Sequence, residues 1–266
     1  MSLVAVVGDC ATTVAIGLAA TWPGGERTFV VEFDPSGGSA SAWLDVPREP
    51  GLSQLAASSG ADTWSVIEAS VQHSPSGIDV LVAPSRTVEA AAAVAASAPT
   101  LLPVLAAIDE TVAIADGGRF DGGGRFDGGA AALVAHAGVV VLGHRQHQGS
   151  AAAAAVGLER LSDTCEVLTR RSVPFVVALI GDRPYRCDEV AAFVGAPTVV
   201  GVALDAWAAA VFSGRAGSRV RLRRSALWRS LAQLSGVVSA SVRATREDAR
   251  WLDAARPGHV AEVNRG

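Results

Sequence analysis

The sequence contains no lysine, and all 22 of its Lys or Arg positions are arginine. This absence excludes a phosphate-binding loop that holds its ligand through a lysine, because neither this chain nor a second identical copy could supply one. Only three cysteines are present, at the widely separated positions Cys10, Cys165 and Cys187. Their odd number and wide spacing exclude a disulfide framework and a cysteine zinc site.

Aromatic and charged residues are scarce, at 5% and 18% of the chain, whereas 50% of the residues are hydrophobic. This composition predicts a large core, which 266 residues can build as one large α/β domain or as two small ones. We expect no apolar run to reach the length of a membrane span, because polar residues interrupt the nearest candidate, residues 3–20. That segment also lacks the basic start of a signal peptide, so we expect a cytoplasmic protein.

Short apolar runs bounded by Gly, Pro or Asp alternate with helical stretches along the chain. The runs predict strands at 3–7, 28–33, 79–83, 112–115, 139–143, 175–180 and 198–203. Helices are predicted at 12–21, 52–58, 62–71, 86–97, 100–107, 149–170, 186–194, 205–212 and about 218–236. The alternation predicts an α/β fold with a doubly wound, mostly parallel sheet, whose ligands bind at the carboxyl ends of the strands.

The stretch VVGDCATT, residues 6–13, joins the first predicted strand to the first predicted helix. A strand, a glycine and a hydroxyl pair at a helix start form the frame of a phosphate-binding loop. The full pattern has a second glycine and a lysine before the Ser or Thr, where this chain has Cys10 and Ala11. The segment between Gly8 and Thr12 is also about two or three residues shorter than that pattern.

Three further stretches follow later strands. Residues 30–57 contain EFDPSGG and then a PGL segment, residues 114–123 read IADGGRFDGG, and residues 175–185 read FVVALIGDRPY. In this order and spacing, residues 1 to about 235 resemble the MinD/ParA family of deviant-Walker ATPases, and especially its CpaE- and TadZ-like branch. The EFDPSGG stretch with its PGL segment is the most specific piece, because it is similar to the switch region of that family.

The resemblance implies a P-loop NTPase-like domain that binds ATP with Mg²⁺ and dimerises over the nucleotide. It assigns catalytic roles to Asp34, the switch aspartate, and to Asp116, the Walker-B-like aspartate, with Glu32 at an acidic position upstream. The implied magnesium ligands are Thr12, Asp34 and Asp116. The implied nucleotide-binding residues are Gly8, Cys10, Ala11, Thr12, Thr13, Gly181 and Asp182.

The loop departs from the family pattern in charge as well as in length. Asp9 adds a negative charge where a phosphate would bind, and the missing lysine removes a positive one. The candidate replacements near strand ends are Arg86, Arg119 and Arg125. Cys10, if it lies at a helix N-terminus, would have a favoured thiolate. The repeat of GGRFDG at 117–122 and 123–128 indicates a recent duplication in a loop that tolerates insertions.

The end of the chain is basic, with 11 arginines and 4 acidic residues in residues 215–266. One helical face of residues 219–238 carries Leu227, Leu231, Leu234 and Val238. We expect this face to pack on the sheet; the alternative is that the arginines of this segment contact nucleic acid or a membrane surface. The predicted domain covers residues 1–238, and residues 239–266 are predicted to form a polar, flexible tail.

Other catalytic or metal-binding patterns are weak. His144 and His147 are three residues apart, which suits a metal on a helix, but the sequence offers no third ligand nearby. A G-x-S-x-G nucleophile motif is absent, and the first loop has no G-x-G-x-x-G pattern, which argues against a Rossmann oxidoreductase.

The sequence therefore predicts a MinD/ParA-like regulatory or positioning protein in a pilus, secretion, division or partitioning system. It would be impaired in nucleotide binding and would act as a scaffold, through a protein partner and a possible homodimer. One alternative is a slow Mg-ATPase in which an arginine or a partner replaces the lysine, so ATP and Mg²⁺ remain possible ligands. The other alternative is a DNA or membrane-surface binder with a basic tail.

Overall fold

The computed structural model describes residues 2–58, 64–119, 128–147 and 149–254. The strands in these ranges are β1 Leu3–Gly8, β2 Arg27–Glu32, β3 Gln72–His73, β4 Asp79–Leu81, β5 Thr111–Asp116, β6 Val139–Arg145, β7 Phe175–Ile180 and β8 Val199–Val202. The helices are α1 Ala11–Thr21, α2 Ala40–Trp43, α3 Leu52–Ala57, α4 Trp64–Ser70, α5 Thr87–Ala107, α6 Gly128–His136, α7 Ala151–Arg170, α8 Cys187–Val194, α9 Ala206–Phe212, α10 Arg219–Arg223 and α11 Ala226–Ala254.

The strands form a single sheet in the order β3-β4-β2-β5-β1-β6-β7-β8. Every pair is parallel except β3 with β4, which is antiparallel. The central strands are apolar on both faces, as expected for parallel strands covered by helices on each side. The predicted doubly wound, mostly parallel sheet is confirmed.

Helices cover both faces of this sheet. On one face, Ala5 and Val7 of β1 belong to a core that includes side chains of α3, α5, α6, α7 and α8. On the other face, Val4 and Val6 belong to a core shared with α1, α9, α10 and α11. This arrangement leaves the carboxyl ends of the strands as the edge where loops and helix starts meet.

Helix α5 is longer than predicted. The sequence pattern predicted two helices here, 86–97 and 100–107. Pro99 and Pro103 each remove a backbone donor, at a cost of about 3 kcal/mol inside a helix. The structure has one helix through both prolines. Leu101, Leu102 and Leu105 are fully buried on the sheet, and burial of each leucine stabilises the fold by roughly 1.5–3 kcal/mol, which offsets the lost hydrogen bonds.

The same helix corrects a second expectation. Among the described residues, Thr87–Ala107 is the one helix long and apolar enough to cross a membrane by length and composition. The expectation that no apolar run reaches this length is therefore wrong. Half of the most apolar part of the helix is buried inside the fold, and a buried core helix meets the same criteria.

Three short elements were not predicted. Helix α2 has four residues and strand β3 has two, so neither is long enough to show a hydrophobic period. Helix α6 begins in the glycine-rich segment after β5, where glycine disfavours a helix by its conformational entropy. The first copy of the GGRFDG repeat is described only at Gly117–Arg119, and most of the second copy lies outside the described residues.

The C-terminal arginine-rich segment packs on the sheet as expected. Leu231, Leu234 and Val238 are fully buried, and a β-carbon at Gly17 of α1 would lie 2.4 Å from the Leu231 side chain, so α1 and α11 are in close contact. The helix was predicted to end at about residue 236 and the domain at residue 238, but α11 continues to Ala254, and Ser239 and Val242 are buried. The remainder of the predicted tail lies outside the described residues.

Candidate functional site

The carboxyl ends of β1, β2 and β5 lie side by side and carry most of the predicted site. The register pairs Glu32 of β2 with Asp116 of β5, and Val6 of β1 with Asp116. Gly8, two residues beyond Val6, therefore lies beside the segment that follows Asp116. We call this cluster of Gly8, Thr12, Glu32, Asp34 and Asp116 the carboxyl-edge site.

Asp116 is the centre of this site. It is 2% exposed, and its Oδ1 accepts the Gly118 N–H at 3.0 Å. The Thr12 hydroxyl also hydrogen-bonds its carboxylate. Gly118 has φ +71°, and a β-carbon there would lie 2.1 Å from the carboxyl carbon of Asp34. The structure thus brings together all three predicted magnesium ligands, Thr12, Asp34 and Asp116.

Burial raises the pKa of Asp116 to about 7. The hydrogen bonds from Thr12 and Gly118 lower this pKa, and the negative charges of Glu32 and Asp34 raise it further. The raised pKa favours the protonated form of the Asp116 carboxyl. A protonated carboxyl is a weaker ligand for a divalent cation than an ionised one.

Glu32 is a positioning residue. It is 1% exposed, and its Oε1 accepts the N–H groups of Ser39 and Ala40, each at 2.6 Å. Its Oε2 accepts the Ala83 N–H at 2.9 Å. Burial raises the pKa of Glu32, although these three backbone donors oppose the shift. The carboxylate therefore joins the segment after β2 to the segment after β4.

The loop between β1 and α1 is closed against its neighbours. Only Asp9 and Cys10 separate Gly8 from α1. The Gly8 N–H donates to the Gly118 carbonyl at 2.9 Å, and the Asp9 N–H donates to the Gly143 carbonyl at 2.8 Å. A β-carbon at Gly8 would lie 2.3 Å from the Gly143 oxygen, so the loop backbone packs directly on β6.

The Asp9 side chain also fixes the loop between β1 and α1 against β6. Its Oδ2 accepts the Arg145 N–H at 2.9 Å. Backbone and side chain of Asp9 are thus both anchored to the end of β6. Successive N–H groups of a phosphate loop must point at the ligand. Here the N–H groups of Gly8, the last residue of β1, and of Asp9 donate to the protein's own carbonyls.

Helix α1 begins immediately after this closed loop. Cys10 takes the left-handed conformation at φ 58°, and its side chain makes no capping hydrogen bond within the described residues. The first intrahelical bond runs from the Val14 N–H to the Cys10 carbonyl, at 3.0 Å. The N–H groups of Ala11, Thr12 and Thr13 precede it and have no partner within the helix.

The pKa of the Cys10 thiol differs from the one expected from the sequence. Although Cys10 lies at the start of a helix, its pKa is raised, first by desolvation in the loop and then by the charge of Asp9. The positive charges of Arg145 and Arg119 oppose this shift without reversing it. The expectation of a favoured thiolate is therefore wrong.

Gly181 and Asp182 lie away from the carboxyl-edge site. They follow β7, which is two strands from β1, a distance of about 10 Å at ordinary strand spacing. Gly181 has φ +98° and donates its N–H to the Val202 carbonyl at 2.8 Å. The predicted nucleotide-binding residues therefore form two separate groups.

Gln146 organises that second group, and we did not predict it. Its side chain is 4% exposed and donates to the carbonyls of Gly181 at 2.7 Å and Tyr185 at 3.1 Å, while it accepts the Tyr185 N–H at 2.8 Å. The feature of the sequence that could have indicated Gln146 is its place as a polar residue directly after the apolar run of β6. Gln146 therefore fixes the shape of the loop that follows β7.

Of the three candidate replacement arginines, one lies at the loop. Arg119 lines a cavity of about 250 Å³ together with Asp9, His144, His147 and Arg160. Arg86 instead is the N-cap residue directly before α5, and it pairs with Glu89 at 2.8 Å on the surface. Arg125 lies outside the described residues. Arg145 and Arg160, which we did not predict, add positive charge on the β6 side of the loop.

The described residues contain no group of three or more His, Cys, Asp or Glu side chains that could hold a metal ion. His144 and His147 both approach Gly157 of α7, where a β-carbon would lie 3.1 Å from the His144 ring. Burial lowers the pKa of His144. The histidine pair therefore packs beside a helix and has no third ligand among the described residues.

Comparison with known proteins shows similarity of fold. No protein-family model matches this chain, and no curated protein matches it significantly. The chain is similar to a ParA family ATPase from Chlorobium tepidum, with TM-score 0.66 and 14% identity over 88% of this chain and 97% of that one.

Two further solved structures show the same similarity. The septum site-determining protein MinD of Pyrococcus horikoshii, complexed with Mg-ADP, has TM-score 0.68 and 14% identity, covering 89% of this chain and 95% of its own. A chain of the MinC:MinD cell division protein complex of Aquifex aeolicus has TM-score 0.66 and 8% identity, and the similarity covers 90% of this chain and 96% of that one. This protein therefore has the P-loop NTPase fold of MinD and ParA.

Proposed function

We propose that this protein is a regulatory or positioning protein of MinD/ParA type that acts through protein partners and does not hold ATP in its β1–α1 loop. One observation carries the proposal: the N–H groups of Gly8 and Asp9 donate to the carbonyls of Gly118 and Gly143. A loop whose first donors are used internally keeps the fold of a nucleotide-binding protein without its phosphate cradle.

The residues of the loop do not fit an ATP phosphate chain. A P-loop wraps consecutive backbone N–H groups around the β-phosphate and adds a lysine, and this chain contains no lysine. The Asp9 carboxylate lies in the loop instead. A like charge about 5 Å from a phosphate costs roughly 3 kcal/mol at an effective dielectric constant of about 20, which lowers affinity on the order of a hundredfold.

The proposed cellular role is placement or assembly of a pilus, secretion or division complex, with the protein acting as a homodimer. The order of the FDPSGG, PGL, IADGG and FVVALIGD stretches supports this assignment, because it resembles the CpaE- and TadZ-like branch. The structural similarity to a chain of a MinC:MinD complex supports action through a second protein. The partner complex is then expected to form equally with and without nucleotide.

A slow Mg-ATPase is the second candidate, and the clustering of Thr12, Asp34 and Asp116 favours it. These residues surround the start of α1, whose first N–H groups have no helical partner. Arg119 or Arg145, whose charges act on Cys10 in this loop, would have to replace the lysine. This candidate requires the loop to open, because the Gly8 and Asp9 N–H groups are occupied.

Isothermal titration calorimetry with ATP and ADP, with and without Mg²⁺, tests the proposal. We expect no saturable heat up to millimolar nucleotide. Micromolar, magnesium-dependent binding would contradict it and would favour the second candidate. In that event, phosphate release should fall in Asp34→Ala and Asp116→Ala, whereas the exposed control Asp163→Ala should keep the wild-type rate.

A further inference from the structure

A groove of about 750 Å³ lies between the second half of α1, the end of α2, the segment 211–219 and the turn before β4. Its apolar lining includes Ile16, Leu44, Ile78, Phe212, Leu222 and Trp228, and we call these side chains its floor. We call it the basic groove. Its volume lies within the range of about 300–1,000 Å³ that ligand-binding clefts occupy. No residue of the carboxyl-edge site lines it, so the two sites are separate.

The rim of this groove is positively charged. The charged side chains that line it are one acidic residue, Asp45, and three arginines, Arg215, Arg219 and Arg223. The positive charge continues along α10 and α11 with Arg221, Arg224 and Arg229. All six arginines are exposed, and within the described ranges none of them forms an ion pair with a carboxylate. Charge complementarity therefore favours an anionic ligand.

Three of these guanidinium groups contact neutral partners. Arg221 lies 4.2 Å above the centre of the Trp207 ring, and Arg223 lies 5.9 Å from the centre of the Trp228 ring. Arg219 donates to the Pro75 carbonyl. A guanidinium that stacks on an aromatic face keeps the N–H donors at its edge available for a carboxylate.

The wall of the groove is fixed by close backbone packing. A β-carbon at Gly214, which has φ +91°, would lie 3.1 Å from the carbonyl oxygens of Ala42 and Trp43. A β-carbon at Gly217 would lie 2.5 Å from the Val211 side chain. The segment that carries Arg215 is therefore seated directly on α2 and α9, which gives the groove a defined shape.

We propose that the basic groove binds a peptide segment of a partner protein in which apolar side chains are flanked by Asp or Glu. The apolar side chains would pack on the floor, and the carboxylates would pair with Arg215, Arg219 and Arg223. Nucleic acid fits less well, because its phosphates would face an apolar floor and its bases need free aromatic faces for stacking. The rings of Trp207 and Trp228 are already next to guanidinium groups.

The inference names the chemistry of a partner, so it rests on the proposed partner-binding function, but it is tested independently of nucleotide. Random peptides of about a dozen residues, displayed on phage, are selected on the full-length protein and counter-selected on the Arg215→Glu/Arg223→Glu variant. The best recovered peptide is then labelled, and its affinity is measured by fluorescence anisotropy. Circular dichroism and thermal unfolding verify that the variant folds.

We expect recovered peptides to combine acidic residues with Leu, Ile, Phe or Trp. We expect the double variant to bind the peptide at least about tenfold more weakly, and Arg215→Ala/Arg223→Ala to show a smaller loss if the charge reversal impairs folding. The matched control Arg170→Glu/Arg250→Glu, which makes the same change of charge at exposed positions outside the groove, should bind like the wild type.

Three results would overturn the inference. They are an absence of enrichment over the double variant, equal affinity of the two proteins for the peptide, and stronger competition by single-stranded DNA or by anionic lipid vesicles than by the unlabelled peptide. None of these results changes the nucleotide calorimetry, so failure of the groove and failure of the proposed loss of ATP binding are distinguishable.

Discussion

The carboxyl-edge site and the basic groove carry opposite charges and use them in opposite ways. At the edge, Glu32 accepts three backbone N–H groups, and Asp116 accepts hydrogen bonds from Gly118 and Thr12. At the groove, the arginines have no carboxylate partner within the described ranges. The acidic groups thus maintain the fold, whereas the basic groups are available to an external ligand.

Under the proposed function, this difference is the one expected of a binding fold that keeps its architecture although its β1–α1 loop does not hold nucleotide. The sheet still brings Thr12, Asp34 and Asp116 together, because the parallel register places the carboxyl ends of β1, β2 and β5 side by side. Whether the site binds a ligand depends on the direction of the loop's N–H groups, of which those of Gly8 and Asp9 point to neighbouring carbonyls. Substitutions at Gly8, Asp116, Glu32 and Asp9 test whether these residues stabilise the fold as described.

Gly8→Ala should have the largest effect on the carboxyl-edge site. The new β-carbon would lie 2.3 Å from the Gly143 oxygen at φ +103°, so we expect a loss of about 5 kcal/mol in the free energy of unfolding. Gly24→Ala is the control, because its φ is +91° but no atom lies within 4 Å, and it should cost about 1 kcal/mol. Equal losses in urea denaturation would show that the loop is not packed on β6.

Asp116→Asn should change how stability depends on pH. Because the pKa of Asp116 is raised to about 7 in the folded protein, folding takes up a proton between pH about 4 and 7. This stabilisation is complete below pH about 4 and is lost as the pH rises through 7, by on the order of 4 kcal/mol. The free energy of unfolding of the wild type relative to the Asp116→Asn variant should fall across this window; a constant difference would refute the pKa assignment.

Glu32→Gln should weaken the link between the segments after β2 and β4. The Gln side chain has one acceptor oxygen, so at least one of the N–H groups of Ser39, Ala40 and Ala83 would lose its partner, at a cost of about 2 kcal/mol. The control is Glu89→Gln, whose surface pair with Arg86 should contribute only about 0.5 kcal/mol. Thermal unfolding of both variants measures the difference in stability. Similar losses of stability in the two variants would contradict the structural role of Glu32.

Asp9→Asn should have the smallest effect, on the reactivity of Cys10. The charge of Asp9 contributes to the raised pKa of the thiol, so its removal should lower that pKa and increase alkylation of Cys10 by iodoacetamide at neutral pH. The amide oxygen can still accept the Arg145 N–H, so the loop should stay closed. Peptide mapping by mass spectrometry measures the rate, with Asp163→Asn as the control; an unchanged rate would contradict the effect of Asp9.

The fold was predictable because its strands are apolar runs that end in Gly or Asp or are followed by one of them. Leu3–Gly8, Thr111–Asp116 and Phe175–Ile180, which Gly181 follows, show this pattern, and their order predicted the doubly wound sheet. The two-residue strand β3 and the four-residue helix α2 have no such pattern, because each spans only about one hydrophobic period and a repeat needs at least two. Helix α5 was predicted as two helices, and the burial of its leucines, which offsets Pro99 and Pro103, is evident only in the folded chain.

The state of the carboxyl-edge site was less predictable. The sequence indicated a short loop without lysine, but it could not show that the Gly8 and Asp9 N–H groups donate to Gly118 and Gly143, since backbone hydrogen bonds between distant segments have no residue signature. The raised pKa of Asp116 likewise depends on burial and on two neighbouring carboxylates. Gln146 was missed because its role depends on two loops that meet only in the folded chain.

An NMR titration of the ¹⁵N-labelled protein with Mg-ATP tests the central claim most directly. Its amide resonances report on Gly8, Asp9 and Thr12 individually. If the loop is closed, the Gly8 and Asp9 amides should exchange slowly with solvent, and their resonances should not move up to millimolar nucleotide. Saturable shifts of these two amides would mean that the loop opens and cradles phosphate, and the protein would then have to be treated as a nucleotide-binding member of this fold.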